Sequence, residues 1–307
     1  MGAPTSPSAS ENLTLTTPAS SLRRFPFLRP VRLLWPSQTP GTYPQPPTFA
    51  PFASSRDTLR FSPHSVNSAP LNLARTLWPA LALLAGALAL FELTSIDLLL
   101  QDHLYNFTTR QWLIDGTAPL PRLFFYQAPK IFLILFAVSL LALLLGPARW
   151  RTFFHFPSPT DRRALLAVLL TLASGPALIG IGKAVTNIFC PSEISRYGGD
   201  VAYIRVFECY PPGQRPARRG RCFPAGHASG GFALLSLAAL ARTRRGQLTG
   251  ISIGLALGGI MGVYQMLKGA HYLSHTVITA LASWLIFLLW HHLATRLPLK
   301  ASHPSTA

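Results

Sequence analysis

Three polar patches interrupt otherwise apolar stretches of this sequence, and their residue types limit the chemistry they can do. The first is Gly182-Lys183, followed by Cys190-Pro191. The second is Arg221-Cys222-Phe223-Pro224-Ala225-Gly226-His227. The third runs Gln265-x-x-Lys268-Gly269-Ala270-His271-Tyr272-Leu273-Ser274-His275. Together they offer histidines and cations without paired carboxylates, a set suited to moving a phosphoryl group. One imidazole can attack phosphorus and carry it as phosphohistidine, while another protonates the leaving oxygen. Lysine and arginine would stabilise charge on the equatorial oxygens, and a helix starting at Gly226-His227 would add oriented N–H groups. The scheme needs no metal and no other cofactor. His271-x-x-x-His275 has zinc-like spacing, but no glutamate adjoins the first histidine as in His-Glu-x-x-His, so a metal is not expected.

A lone histidine at a helix end is an ordinary interfacial residue. Lys183, His227, His271 and His275 at one membrane depth are not, because ionisable groups there are costly and usually have a task. The elements that would bring them to one depth are six apolar runs, near residues 74–95, 124–146, 164–186, 226–242, 248–268 and 271–294. Each is read as a spanning helix, the fourth being the shortest and the most polar at its start. The expected fold is all-α, a six-transmembrane-helix bundle. Composition agrees, with 49% hydrophobic residues and only 12% charged against about 25% in soluble domains. Residues 1–70 are rich in Pro, Ser and Thr and are read as a disordered tail, without a clear signal-peptide core. Residues 71–296 form the membrane domain, and 297–307 a short C-terminal tail.

Charge sets the expected orientation. The formal net charge is +17 and the pI about 11.0, which would also suit nucleic-acid binding. Here the arginines lie in the tail and in loops between apolar runs, where an anionic leaflet accounts for them. Arg149, Arg151, Arg162 and Arg163 fall between runs two and three, and Arg242, Arg244 and Arg245 between runs four and five. With six spans these loops share one side with both termini, and the positive-inside rule makes that side cytoplasmic. All three polar patches then meet at the external face. The external connection 187–225 nevertheless carries Arg196, Arg205, Arg215, Arg218, Arg219 and Arg221, for which anion binding is the expected reason.

These residues resemble the type 2 phosphatidic acid phosphatase superfamily. Its pattern is Lys, six residues, Arg-Pro; then Pro-Ser-Gly-His; then Ser-Arg, five residues, His, three residues, Asp. Lys183 and Pro191 match the first motif, with Cys190 at the arginine position. Pro224, Gly226 and His227 match the second, with Ala225 for serine. His271 matches the nucleophilic histidine of the third, Tyr264-Gln265 stands for Ser-Arg, and His275 for the aspartate. The wording is similar to a divergent bacterial branch. The resemblance covers roughly 74–295 and implies an acid-phosphatase and haloperoxidase-like helical core.

It also implies roles: His271 as nucleophile, His227 as general acid and His275 as orienter. Lys183, Lys268, Arg221, Gly226 and Gln265 would bind the substrate phosphate. On a continuous helix Lys268, His271 and His275 share one face, so Lys268 could supply the cation Gln265 lacks. Cys190, Cys209 and Cys222 all lie in one loop; a Cys190–Cys222 disulfide would staple that loop to the site, and three free thiols is the alternative. The expected activity is hydrolysis of a membrane lipid phosphate or diphosphate (polyprenyl diphosphate, phosphatidic acid-like lipid or lipid A phosphate) at the periplasmic face of a bacterial inner membrane. No nucleic acid or obligate protein partner is expected. A lipid phosphotransferase with the same intermediate, or a non-enzymatic transporter or scaffold, are the other readings.

Overall fold

The computed structural model describes residues 73–156 and 158–298, and the expected tail 1–70 lies outside them. The described chain is helical apart from one short hairpin, β1 (Tyr105–Asn106) with β2 (Gln111–Trp112). Five apolar helices are long enough to cross a membrane: Arg75–Leu93, Pro119–Leu145, Thr160–Glu193, Arg244–Leu267 and Leu273–Arg296. By element these are α1 (Leu73–Leu93), α3 (Pro119–Arg122) running through a π-turn into α4 (Ala128–Leu145), α6 (Pro159–Thr186), α8 (Arg244–Leu267) and α9 (Leu273–Arg296). Between them come α2 (Ile96–Leu104) and α5 (Ala148–Phe153).

The fourth apolar run is shorter than expected for a span. It is α7 (Gly226–Ala233) followed by a 3-10 segment, Leu234–Leu240. Because 3-10 geometry rises more per residue, the pair extends about 26 Å, close to the roughly 30 Å of a hydrocarbon core. It sits inside the bundle, not at its edge. Gly250, Gly254 and Gly258 form a row on α8, and a Cβ on any of them would strike this segment: Leu237 and Ala238, then Leu234 and Leu235, then Phe232. Small residues at every fourth position let the two backbones approach closely, as membrane helices require in the absence of a hydrophobic drive. Gly262 continues the row against Thr276 of α9.

The two ends of the bundle are built differently. At one end, Ser158 and Asp161 form a capping box that starts α6, and Asp161 also receives Arg242 at 2.8 Å. Arg151 donates to the carbonyls of Leu144 and Gly146 at 3.2 and 2.9 Å, closing the C-terminus of α4. At the other end, α2, the hairpin and the connection 187–225 fold over the bundle as a cap. Its core is Tyr105, Phe189, Ile194, Tyr197, Val201 and Tyr272. Gln101 of α2 reaches the carbonyl of Met266 at 2.9 Å, and Arg196 clasps Asp102 at 2.6 Å. All three polar patches lie under this cap.

Candidate active site

The turn between α8 and α9 departs from the continuous helix expected from the sequence. α8 stops at Leu267, and Gly269 takes a left-handed φ of +71°. Few residues other than glycine adopt that conformation, and a Cβ there would also enter the Trp112 ring. Ser192 donates to the Gly269 carbonyl at 2.9 Å, pinning the turn to the cap. Lys268, His271 and His275 therefore share no helix face. His271 sits on the turn, only 2% exposed, and His275 in the first turn of α9.

The two imidazoles nevertheless meet, with Nδ1 to Nδ1 at 3.3 Å. Such a contact needs one nitrogen to donate and the other to accept. With Nδ1 of His271 so engaged, its Nε2 is the atom available to attack. Burial first, then neighbouring His275 and Lys183, hold the His271 imidazole well below its ordinary range, so it is neutral and nucleophilic.

α7 begins beside this pair. Its first residues are fixed by α9: the Ala225 N–H donates to Thr279 Oγ1 at 2.8 Å, and that hydroxyl donates to the His275 carbonyl at 2.7 Å. No side chain caps the helix start. The His227 ring lies 5.9 Å from that of His271 and 4.8 Å from Tyr126, and its buried Nδ1 has no hydrogen-bond partner. Lys183, in the last turn of α6, lies against Gly226 so closely that a Cβ there would be 3.3 Å from its Cδ and 3.7 Å from Nζ. Glycine at 226 leaves the lysine room beside the helix N-terminus, where a Cβ would make it give by a few tenths of an ångström.

A cavity of about 390 Å³ opens beside Lys183, Gly226 and His227. Tyr126, Lys130, Lys183 and His227 line its polar part, and Ile134, Ala137 and Leu172 its apolar part. From Lys183 to Leu172 along α6 is about 16 Å. The cavity therefore runs from His227 and Lys183 well into the apolar bundle. Lys268 lies over the Tyr264 ring at 5.0 Å and acts electrostatically on His227, as do Lys183 and Lys130.

Other expected ligands are placed less directly. Gln265 is 1% exposed with both amide atoms unpartnered; it follows Met261, a cavity residue, by one helical turn. Arg221 is exposed and does not line the cavity. The other loop arginines mostly staple the cap instead of awaiting an anion. Arg196 pairs with Asp102, Arg205 with Glu208, and Arg218 with both Glu193 and Asp200. Cys190 and Cys222 form a disulfide with Cα atoms 5.2 Å apart, Cys209 is free and exposed, and Cys222 Sγ lies 3.4 Å from His271 Nδ1. Tyr126, Lys130 and Thr279 are additions to the site. Lys130 had a readable signal, a charge one turn inside an apolar run; the other two had none.

Comparison with known proteins gives the same direction. Residues 164–298 match the family described as PAP2 superfamily. A lipid A 4'-phosphatase of Francisella tularensis subsp. novicida (strain U112) is 24% identical over 210 residues, covering 64% of this chain and 87% of that protein. No solved structure matches.

Proposed function

We infer that this chain, which belongs to the PAP2 superfamily through residues 164–298, is a membrane phosphatase acting on a lipid phosphate. One observation carries the reading. His227 and Lys183 line one end of a cavity whose other end is apolar, and the His271–His275 pair lies beside them, the His271 ring 5.9 Å from that of His227. A phosphate ester at the histidines would leave its lipid tail along α4 and α6. The similarity to a lipid A 4'-phosphatase favours a phosphorylated lipid of that kind over polyprenyl diphosphates or phosphatidic acid-like lipids.

The reaction runs in two displacements. Nε2 of His271 attacks phosphorus while the bond to the lipid oxygen breaks, and that oxygen takes a proton from His227. The electron pair of the broken bond leaves with the lipid alcohol. Water then gives its proton to His227 and attacks phosphorus, and the P–N pair returns to the imidazole. Lys183, Lys268 and the N–H groups at the start of α7 stabilise the equatorial oxygens. Gln265 donates its buried amide to the same group, and Arg221 attracts the anion from the cap surface. The substrate's negative charge in turn offsets the crowding of lysines around His227.

The site faces the periplasm of the inner membrane, and both termini are cytoplasmic. The arginines of the opposite end support that orientation. Purified protein should release phosphate from mixed lipid phosphates, and His271→Ala should abolish the release. Acid-quenched turnover should trap phosphohistidine on the wild type. Equal phosphate release by both proteins would sink the reading, and transfer to an added lipid alcohol in place of water would make the enzyme a phosphotransferase.

A further inference from the structure

His271 leans on an imidazole and not on a carboxylate. A neutral imidazole balances developing positive charge poorly unless an anion stands behind it. His275 is fully buried, and the groups against its ring besides His271 are Phe223, Tyr272, the Cys222 backbone carbonyl and, at longer range, Lys183. None of these is an anion.

A second cavity, sharing no lining residue with the first, also has His275 in its wall. It measures about 20 Å³, room for a single water. Asp97 of α2 lines it, with Tyr272, Tyr203, Glu92 and Arg205. A water needs two to four polar partners to be held in such a place. Here the Tyr272 hydroxyl and the Arg205 Nε are buried without a hydrogen-bond partner. Asp97 itself is 6% exposed, and its Oδ1 accepts the Ser274 N–H at 2.9 Å. The Ser274 hydroxyl and the Leu273 N–H also face it, so the carboxyl joins α2 to the first turn of α9, where His275 sits.

We propose that Asp97 is a positioning residue for the reaction: through one water in this cavity, its carboxylate balances the charge that builds on the His271–His275 pair during attack. The inference rests on His271 being the nucleophile. The His271 Nδ1–H moves towards His275 Nδ1, the far N–H of His275 donates to the water, and the water donates to Asp97. No proton leaves the relay, and none is supplied from outside it. Burial raises the Asp97 carboxyl above its ordinary range against the lowering effect of its donors. It therefore takes up a proton, and the relay fails, at a higher pH than an ordinary aspartate would impose.

Asp97 also caps α9, and the test separates the two roles. Asp97→Asn keeps an oxygen for the Ser274 N–H but removes the charge. In detergent, with lipid phosphate as substrate, it should lower kcat at least about tenfold while KM stays within about twofold. Its residual activity should lack the acidic limb of the wild-type pH profile, and its melting temperature should match the wild type. In a His275→Asp background, where a carboxylate meets His271 directly, adding Asp97→Asn should change kcat by less than about twofold. A wild-type kcat and pH profile for Asp97→Asn overturns the proposal, because the Cys222 carbonyl would then suffice for His275. His271→Ala in the same assay keeps the two ideas apart. If it is inactive while Asp97→Asn is normal, only the relay falls; if it is active, the phosphatase mechanism falls first.

Discussion

The smallest residue in the site carries one of its strictest demands. Gly269 combines a φ of +71° with a backbone pressed against the Trp112 ring, and it lies two residues before His271, the proposed nucleophile. An alanine there meets both the left-handed penalty of about 1–2 kcal/mol and a collision with the indole. The turn must then move, and His271 moves with it. Gly269→Ala should therefore reduce phosphate release at least about a hundredfold, since reacting groups displaced by about an ångström lose that much. Thermal unfolding and a phosphate-release assay on the purified variant would check it, and an active, equally stable Gly269→Ala would contradict the geometry described for this turn. The histidines themselves were plain in the sequence, and the family resemblance assigned their order. Their mutual orientation was not readable, because it depends on a turn conformation and not on helical spacing. Lys268, His271 and His275 look aligned at helical intervals, yet the helix ends at Leu267 and His271 meets His275 from a turn that Gly269 shapes. Asp97 was invisible for another reason: it approaches the site from a short helix 177 positions earlier in the chain than its Ser274 contact.

At the scale of elements, long apolar runs announced themselves and the cap did not. The first, second, third, fifth and sixth runs correspond to helices long enough to cross a membrane, since twenty apolar residues have few other fates. The fourth run owes its 3-10 half to the close approach of α8, a tertiary effect that hydropathy does not register. Residues 96–127 fold into α2, a hairpin and a π-turn, elements too short for periodicity to reveal. The cap is held to the bundle by the Cys190–Cys222 disulfide, which joins the end of α6 to the start of α7 and touches His271. The bond closes a sequence separation of 32 residues, for which chain entropy predicts about 3.7 kcal/mol of stabilisation. It also ties the segments that carry Lys183 and His227, on its two flanks, to the surroundings of His271. Reduction with a phosphine, or Cys190→Ser, should lower both melting temperature and kcat, whereas Cys209→Ser should change neither. If phosphate release and melting are the same before and after reduction, the disulfide has no part in holding the site.

Arginines gather at one end of the described bundle, and this supports the side of the membrane proposed for the chemistry. Arginines at the end opposite the site are many: Arg149, Arg151, Arg162, Arg163, Arg242, Arg244 and Arg245. Of the six in the connection 187–225 at the site end, three, Arg196, Arg205 and Arg218, are paired to carboxylates within the cap, and at the opposite end Arg242 is paired to Asp161. The cap supplies its own reporter. Of three cysteines, two are joined and buried or half-buried, while Cys209 is free and exposed on the connection 187–225. In spheroplasts of a bacterial host, a membrane-impermeant maleimide should label the protein before lysis, and Cys209→Ser should abolish the label. A cysteine placed at Arg244 in the Cys209→Ser background should react only after lysis. Labelling at 209 that waits for lysis, with Arg244→Cys reacting beforehand, would invert the orientation and put the phosphate site in the cytoplasm. The disulfide beside His271 argues for the first outcome, because an oxidising compartment is where such a bond persists.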